Sequence, residues 1–439
     1  MPHELDQILL SHKQKDFKNR LIELRLKVVH AARFKIDSKE NEQLRKIVQD
    51  IMKRGDEAVA EYTKMFDGVD LRPEEFPISE EDLEKAHKNI DRKLLVSIRQ
   101  AIKNVRKYQK EIFIGDKPIQ PGIKYTPIKR VGICVPGASA PLPSTVIMTA
   151  VPAQVAGAKE IVVVSPPRYK GSIHPVTLAV CYEIGIDEVY RLGGAQAVAA
   201  LAFGTQTITS VDKIVGPGNQ WVQTAKQIVL GCVGIDSMAG PSEVLIIAND
   251  RANPAWVAAD MLSQAEHAPG SATVFTNSRD LAEKTLAELK KQVGQLSRVK
   301  ETIKCLLELS IIAVFENMDK AISAANDFAP EHLEIQCGDE SREIAEKIEN
   351  AGAIFIGDYS PVAVGDYWAG PSHTLPTGRT ARFFSALSAN DFIKSTSIIE
   401  YSKEQLSKSA EDIIRLAEAE GLDAHAKSVW LRLGLRQDE

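Results

Sequence analysis

The stretch VGICVPGASAPLPST, residues Val131 to Thr145, shows the pattern that most of this chain repeats. An apolar, β-branched run, Val131–Val135, is followed at once by a turn of small residues and prolines that opens a helix. Buried strands of this kind, alternating with helices, form βαβ units in which the strands lie parallel. The stretch therefore predicts an α/β fold with a parallel sheet.

The same alternation recurs along the rest of the chain. Eight runs are predicted to be strands: Val131–Val135, Glu160–Val164, Glu188–Arg191, Lys213–Val215, Val244–Ala248, Ala272–Thr276, Ile311–Phe315 and Ala353–Ile356. Eight strands are many for one sheet, so we expect two Rossmann-like α/β units. The segment AGPSE, Ala239 to Glu243, is a plausible crossing between them. Residues 1 to about 115 and the C-terminal part are predicted to be mainly helical, with long amphipathic stretches at Lys13–Val29 and Glu80–Ile112.

Composition excludes several classes of protein. The 439 residues carry a net charge of -5 with 44% hydrophobic residues, which is ordinary for a globular enzyme. No basic stripe favours nucleic acid, and no apolar run reaches the ~18 residues that a membrane span needs. The five cysteines are scattered without a CxxC pair, and the N-terminus lacks a signal-peptide pattern. We therefore expect a reduced, cytoplasmic enzyme without a membrane or nucleic-acid partner.

Three small-residue turns follow predicted strands and open helices: VPGASAPLPST (Val135–Thr145), LGGAQA (Leu192–Ala197) and VGPGNQ (Val215–Gln220). Helix N-termini bind phosphate through free N–H groups. No GxGxxG follows a strand, so the usual dinucleotide fingerprint is absent. Any one turn is weak evidence, but three at the carboxyl ends of parallel strands predict a ligand crevice.

The segment SQAEHAPG, Ser263 to Gly270, places two possible metal ligands close together. Asn253 and Pro254 are predicted as N-cap and first residue of a helix that ends near Pro269-Gly270. Gln264 and His267 are three residues apart, so we expect them on one helix face. With Asp366 and His425 they offer the oxygen and imidazole donors that zinc accepts. Each residue alone is more often structural, and the sequence does not show that the four meet.

Glu331 and His332 form a second pair in APEHLEIQ, at the start of a predicted strand. A carboxylate beside an imidazole can perform acid–base chemistry near neutral pH. The alternative is an ordinary surface pair beside a proline. Further on, residues 357 to about 390 are predicted to be a long functional loop. Ser402 and Gln405 predict a capping box, and Gly421 suits the C′ position after a helix that ends at Glu420.

Together these motifs resemble the histidinol dehydrogenase family from about residue 30 to the C-terminus. IDSMAGPSEVLIIA (Ile235–Ala248), SQAEHAPG, APEHLEIQ, VGDYWAGPSHTLPTGRTARFF and AEGLDAHA occur in the family's order. The resemblance implies a zinc-dependent, four-electron oxidation of L-histidinol to L-histidine through the aldehyde, with two NAD reduced. It also implies an intertwined homodimer whose active site lies between the subunits.

The resemblance assigns a role to each matching position. It implies one zinc per subunit, held by Gln264, His267, Asp366 and His425, with His425 supplied by the partner chain. His332 would be the base for the alcohol proton, and Glu331 would activate water in the second half-reaction. Beside these, Ser242, His373 and Glu420 would contact substrate, and Cys134, Gln196 and Asn219 would contact NAD.

The family view also suggests how the chain is divided. We expect a helical arm at 1–30, a discontinuous first α/β domain at 31–130 plus 240–385, a second at 131–239, and a helical dimerisation segment at 386–439. Three positions depart from the family pattern. Cys134 stands where members often have Tyr, before Pro136-Gly137-Ala138; Ser372 replaces Asn; and Asn390 replaces Tyr. Their placement bears on cofactor and substrate affinity more than on reaction type.

Three other interpretations remain open from the sequence. A paralogous zinc and NAD dehydrogenase could oxidise another small alcohol, such as sulfopropanediol. A zinc hydrolase could use Glu331 as base, although no HExxH is present and the three turns would go unused. A catalytically inactive structural protein would have no need for Glu331, His332 and four candidate ligands.

Overall fold

The computed structural model describes residues 2–32, 39–115, 122–137, 141–267 and 269–434. Its strands are β1 Leu9–Ser11, β2 Ile123–Pro127, β3 Arg130–Cys134, β4 Glu160–Val164, β5 Glu188–Tyr190, β6 Lys213–Val215, β7 Gly234–Ile235, β8 Ser242–Ala248, β9 Gly270–Thr276, β10 Ile311–Val314, β11 His332–Gln336, β12 Ala353–Ile356 and β13 Ile393–Ser397.

The helices are α1 Phe17–Ala32, α2 Lys39–Arg54, α3 Asp56–Asp67, α4 Glu80–Asn89, α5 Arg92–Ile112, α6 Pro143–Val155, α7 Pro175–Ile184, α8 Gly194–Phe203, α9 Gln220–Val229, α10 Pro254–Ala265, α11 Arg279–Val293, α12 Val299–Leu309, α13 Met318–Phe328, α14 Ser341–Glu346, α15 Val362–Tyr367, α16 Lys403–Ala419 and α17 Asp423–Leu433. No helix within the described ranges combines the length and apolar character that crossing a bilayer requires.

A six-stranded parallel sheet has the order β1-β10-β9-β8-β11-β12. Its central strand β8 shows why such strands are apolar throughout. Val244 and Ile246 pack in the same cluster as Val257 of α10, whereas Leu245 and Ile247 pack in the cluster of the opposite face. Because helices cover both faces, both sets of alternating side chains are buried.

A five-stranded parallel sheet has the order β5-β4-β3-β6-β7. The helices α2 and α3 contribute to the apolar cluster on one face, and α4 to α7 contribute to the cluster on the other. Both sheets belong to one compact unit, residues Met1–Ile114 with Pro127–Ile393. Our division of the chain into four parts stays a prediction. That division groups residues 31–130 with the six-stranded sheet, whereas α2 to α5 pack on the five-stranded sheet.

The second unit comprises Gly115–Thr126 and Lys394–Glu439. It contains the helices α16 and α17 and most of the two-stranded sheet of β2 and β13. Ser402 and Gln405 form the predicted capping box at the start of α16. Gly421 follows the helix end at Glu420 with a φ of 70°, as expected for the C′ position.

The predicted fold class, an α/β fold with two parallel sheets, is confirmed. All eight predicted strands form, with ends that differ by at most two residues. The prediction missed β1, a three-residue strand that pairs with β10 inside the mainly helical N-terminal part. The amphipathic stretch predicted at Glu80–Ile112 forms two helices, because Asp91 caps a new helix by accepting a hydrogen bond from the Leu94 amide.

Two other local predictions need correction. The helix beginning at Asn253-Pro254 has the expected cap, but it ends at Ala265 rather than near Pro269. Consequently, Gln264 lies on α10 while His267 lies in the turn beyond it, so the two do not share a helix face. The long loop predicted at residues 357–390 contains the short helix α15, which carries Asp366.

Candidate active site

A cavity of about 590 Å³ lies at the carboxyl ends of β3, β4, β5 and β6. The three predicted turns contribute to its lining, including Cys134, Gln196 and Asn219. The volume falls within the range of about 300–1,000 Å³ that is usual for small-molecule sites. The sequence-predicted crevice therefore exists, although residues 138–140 of the first turn lie outside the described residues.

The third turn of this cavity is held by a buried ion pair. Lys226 on α9 contacts the Asp236 carboxylate and donates to the Gly216 carbonyl at 3.1 Å. Asp236 in turn accepts from the Gly216 amide at 2.7 Å. Gly216 has a φ of 106°, and a Cβ there would lie 2.3 Å from the Cys134 carbonyl oxygen. Only glycine fits this close approach, which brings the turn against β3.

Asn219 and Gln196 have different roles in the cavity wall. Asn219 caps α9 by accepting hydrogen bonds from the amides of Trp221 and Val222. Gln196 is buried on α8, where its Nε2 donates to Asp67 at 3.2 Å. The Gln196 Oε1 is buried without a hydrogen-bond partner among the described residues. It is thus available to a bound molecule.

Glu331 and His332 meet at the start of β11, with 3.4 Å between Glu331 Oε2 and His332 Nδ1. Glu331 Oε2 also accepts from the Ser242 hydroxyl and the Glu243 amide, each at 2.8 Å. His332 Nδ1 lies 2.9 Å from the Glu243 carbonyl oxygen. The surface-pair alternative is wrong, because both side chains are buried.

Burial dominates the acid–base properties of this centre. It raises the pKa of Glu331 to about 8, against the hydrogen bonds from Glu243 and Ser242. It lowers the pKa of His332, although the nearby Asp366 carboxylate and the Glu243 carbonyl favour the imidazolium. Because a carbonyl can only accept, the neutral His332 carries its proton on Nδ1. The lone pair is then on Nε2, which is buried without a hydrogen-bond partner in the described part of the chain.

The structure brings Asp366 and His267 to the region of His332, whereas only the backbone of Gln264 is placed nearby, against Gly270 beside Ser242. Asp366 Oδ1 lies 3.8 Å from His332 Nε2. Burial raises the pKa of Asp366, and the nearby His332 and His267 oppose that rise. Gln264 is buried, and its Nε2 has no hydrogen-bond partner among the described residues; a half-turn of the amide places the carbonyl oxygen there.

The donor set fits a divalent metal by its chemistry. It offers a carboxylate, an imidazole and an amide oxygen, and the carboxylate and amide are not used up by internal bonds. No cluster of three His, Cys, Asp or Glu side chains arranged as a metal site occurs among the described residues. The fourth predicted ligand, His425, lies in the first turn of α17, in the second unit. Glu420, at the end of α16, belongs to the same unit.

The two remaining predicted substrate contacts lie in the first unit. Ser242 begins β8 and is bonded to Glu331. His373 Nε2 lies 3.2 Å from the Ser144 hydroxyl at the start of α6, and burial lowers the pKa of His373 to about 4. His332 adds to that lowering, so His373 lies near the centre and also contacts the helix that follows β3.

Two of the three departures from the family pattern, Cys134 and Ser372, are buried, and Asn390 is half-buried. Cys134 is buried, and burial raises the pKa of its thiol to about 12. Ser372 donates to the Met148 carbonyl at 2.8 Å. Asn390 bonds the backbone of Ile112 and Ile114 at the end of α5. Ser372 and Asn390 thus connect backbone segments.

Sequence reasoning missed one buried acid and one cluster of buried and half-buried polar residues. One is Glu243, whose Oε1 accepts from the Gly378 amide at 2.6 Å and whose pKa is raised to about 8 by burial. The other is formed by Asp260, Glu334 and Gln336, which hydrogen-bond one another. A signal for the second was present: in HLEIQ, polar residues alternate with apolar ones inside a strand predicted to be buried.

A parallel-sheet fold, a cavity at strand carboxyl ends and a buried imidazole–carboxylate centre together are features of an α/β enzyme. The family model described as histidinol dehydrogenase matches residues 31–433. The chain therefore belongs to the histidinol dehydrogenase family and is an oxidoreductase, which confirms the resemblance seen in its motifs.

Individual relatives agree with this assignment. Histidinol dehydrogenase of Rhodopirellula baltica is 48% identical over 392 residues, covering 88% of this chain and 85% of that protein. The enzyme of a Synechococcus species is 46% identical, covering 89% and 91%. The crystal structure of histidinol dehydrogenase from Elizabethkingia anophelis superposes with a TM-score of 0.88 at 34% identity, covering 97% of this chain and 98% of that one.

Proposed function

We propose that this protein oxidises L-histidinol to L-histidine through L-histidinaldehyde in histidine biosynthesis, with zinc and NAD as cofactors. The observation that carries the proposal is the unpartnered Nε2 of His332, 3.8 Å from Asp366 and beside Glu331. A neutral imidazole with a free lone pair is ready to accept a proton from a substrate hydroxyl.

His332 is the base of the first half-reaction. An alcohol carbon gives up hydride more readily as its hydroxyl proton is removed, so the base must lie at that hydroxyl. The Glu243 carbonyl fixes the His332 tautomer by accepting the Nδ1 proton. It also stabilises the imidazolium that forms, because that hydrogen bond strengthens with the positive charge.

Glu331 serves the second half-reaction, in which water adds to the aldehyde carbon. The Ser242 hydroxyl and the Glu243 amide orient its carboxyl group. Burial holds the proton on Glu331 until the site is at about pH 8, so this group is a stronger base than an exposed glutamate once it has ionised.

The cavity at the carboxyl ends of β3 to β6 is the proposed NAD site, with Cys134, Gln196 and Asn219 in its wall. NAD, when bound, supplies the acceptor for the hydride of each step. The free N–H groups at the start of α8 suit a phosphate, and the absence of GxGxxG is compatible with a cofactor that exchanges between the two steps.

Gln264, His267 and Asp366 are the proposed zinc ligands of this chain, with His425 as the fourth. Zinc, when bound, supplies a clamp for the imidazole and amine of the substrate. A substrate held at its far end stays in place through both oxidations, which keeps the reactive aldehyde from solvent.

The homodimer with a shared site, in which a partner chain supplies His425 and Glu420, belongs to this proposal. The second unit that carries these residues has large exposed apolar side chains, among them Leu416, Ile399 and Leu431. Ser242 and His373 complete the proposed substrate contacts. We place the enzyme in the cytoplasm, in keeping with its unpaired cysteines.

The decisive experiment measures NADH formation with L-histidinol and with a panel of small diols, including sulfopropanediol, before and after removal of metal. We expect histidinol to be preferred and activity to return when zinc is restored. Preference for a diol would favour the paralogous dehydrogenase. A chelator-sensitive hydrolysis without an NAD requirement would instead indicate the zinc hydrolase.

A further inference from the structure

The strand β11 differs from the other core strands of the six-stranded sheet by its polar face. Leu333 and Ile335 point into the apolar cluster that includes α13. The alternate positions His332, Glu334 and Gln336 point to the opposite face, and all three are buried. Their neighbours at the same level of β8 are Val244, Ile246 and Ala248, so an apolar side chain suits this layer.

Glu334 makes three contacts on that face. Its Oε1 accepts from the Val362 amide at 2.9 Å. Its carboxyl group hydrogen-bonds the carboxyl group of Asp260. The Gln336 Nε2 bridges the two acids, at 2.7 Å from Asp260 Oδ2 and 3.1 Å from Glu334 Oε2.

These contacts join the three elements that carry the proposed site. Asp260 is on α10, one turn before Gln264. Glu334 is two residues after His332, on the same face of β11. Val362 is the first residue of α15, one turn before Asp366. The Asp260–Glu334 pair therefore ties α10, β11 and α15 together directly beside the base and two candidate ligands.

Two carboxyl groups can hydrogen-bond only if they share a proton, and Glu334 is only 1% exposed. Burying such a pair costs free energy that an apolar pair of similar size would not cost. The arrangement is thus a poor way to stabilise the fold, but a directional way to set the distance between three elements.

We propose that Asp260 and Glu334 are positioning residues that hold Gln264, Asp366 and His332 in the geometry needed to bind the metal. This inference rests on the proposed zinc site. Residues that orient metal ligands typically contribute 10–100-fold to metal affinity.

The test is the zinc dissociation constant, measured by competition with a chromophoric chelator on the full-length protein. Asp260→Ala removes the link between α10 and β11 at a half-buried position, so the variant should fold. We expect zinc binding to weaken by about tenfold or more. Asp260→Asn and Glu334→Gln restore a hydrogen-bond donor to the pair without a shared proton, so both should remain within about threefold of the wild type.

Gln292→Ala is the matched control. Gln292 Nε2 donates to the Ala255 carbonyl at 3.0 Å and tethers α10 at its far end, without reaching β11 or α15. Its loss should leave zinc affinity unchanged. Zinc affinity at the wild-type level in Asp260→Ala would overturn this inference but not the proposed function. So would a loss of zinc affinity in Asp260→Asn as large as that in Asp260→Ala. A wild-type protein that binds no zinc would overturn the proposed function and this inference with it.

Discussion

The two parallel sheets of this protein build their functional surfaces in opposite ways. In the five-stranded sheet, β3 to β6 are apolar in their middles, and the cavity is lined by turns, glycines and helix starts beyond the strand ends and by side chains of α2 and α3. In the six-stranded sheet, the proposed acid–base centre lies on His332 of β11 and on Glu331 just before it, beside Asp366 of α15. Loops that approach a ligand with their backbone suit an exchanging cofactor, whereas side chains fixed to a strand suit proton transfer at a defined atom.

The largest expected effect is the selective loss of one half-reaction when a residue of the centre on the six-stranded sheet is replaced. His332→Asn removes the proposed base, so we expect alcohol oxidation to fall by about 10³-fold. Oxidation of supplied aldehyde should fall much less. Glu331→Gln should do the reverse, because the amide keeps the hydrogen bonds but cannot take a proton from water.

The measurement is NADH formation from histidinol and from histidinaldehyde by each variant at saturating NAD. Circular dichroism serves as the control for folding. Comparable loss of both half-reactions in both variants would refute this division of labour.

Mixed dimers test whether one chain supplies all the proposed zinc ligands of a site. His267→Ala and His425→Ala should each be nearly inactive alone. If a partner supplies His425, random mixing restores one intact site in each mixed dimer, or about a quarter of all sites. The readout is activity after co-refolding differently tagged variants, with mixed dimers isolated by tandem affinity. No recovery in confirmed mixed dimers would contradict a shared site.

The loop-built cavity should depend on the buried ion pair beneath it. Lys226→Met leaves the Asp236 carboxylate buried and unpaired, so the free energy of unfolding should fall by about 3–5 kcal/mol. The double variant Lys226→Met/Asp236→Leu should recover part of that loss. Both should bind NAD more weakly, because Gly216 loses the Lys226 donor in the single variant and its Asp236 acceptor as well in the double variant.

Urea unfolding and NAD titration measure the two effects. Lys213→Met is the control: Lys213 lies on β6 and donates to the Asp391 carbonyl at 2.6 Å, outside the turn. If the control weakens NAD binding as much as Lys226→Met does, the ion pair has no special role in the cavity.

The half-reactions should also differ in their pH dependence. Burial raises the pKa of Glu331 from its ordinary 4.5 to about 8, so its carboxylate becomes available only as pH rises towards 8. Aldehyde oxidation should therefore increase up to about pH 8. Because burial lowers the pKa of His332 below its ordinary 6.5, alcohol oxidation should already be flat above pH 6.5.

The same shift predicts how stability changes. A carboxyl group with a raised pKa stabilises the folded state fully below pH 4.5, and the contribution is lost as pH rises to about 8. Glu331→Gln should abolish both the rise in aldehyde oxidation and this loss of stability. A rise that persists in the variant would assign it to another group.

The smallest expected effect concerns the cavity wall. Burial raises the pKa of the Cys134 thiol to about 12, so iodoacetamide at pH 8 should leave Cys134 unmodified. Cys232 is exposed and should react. Peptide mass spectrometry after brief labelling distinguishes the two, and rapid labelling of Cys134 would show that the turn opens readily.

The loop-built region is the easier of the two to predict from sequence. Gly and Pro after β-branched runs act on the backbone where they stand. The residues alone therefore predict the turns at Val135, Leu192 and Val215. The helix end at Ala265 escapes prediction, because SQAEHAPG contains no strong stop before Pro269. The Asp260–Glu334 contact joins residues 74 positions apart in different elements, and its only local trace is the alternation in HLEIQ.

Anchoring Glu331 and His332 to the backbone of β8 has a consequence for redesign. The proposed reacting groups are hydrogen-bonded to Ser242 and Glu243 at the start of the central strand β8. Substitutions that spare these bonds should change the size of alcohol accepted while Glu331 and His332 keep their alignment. Redesign for other alcohols therefore has more positions to vary outside the start of β8 than within it.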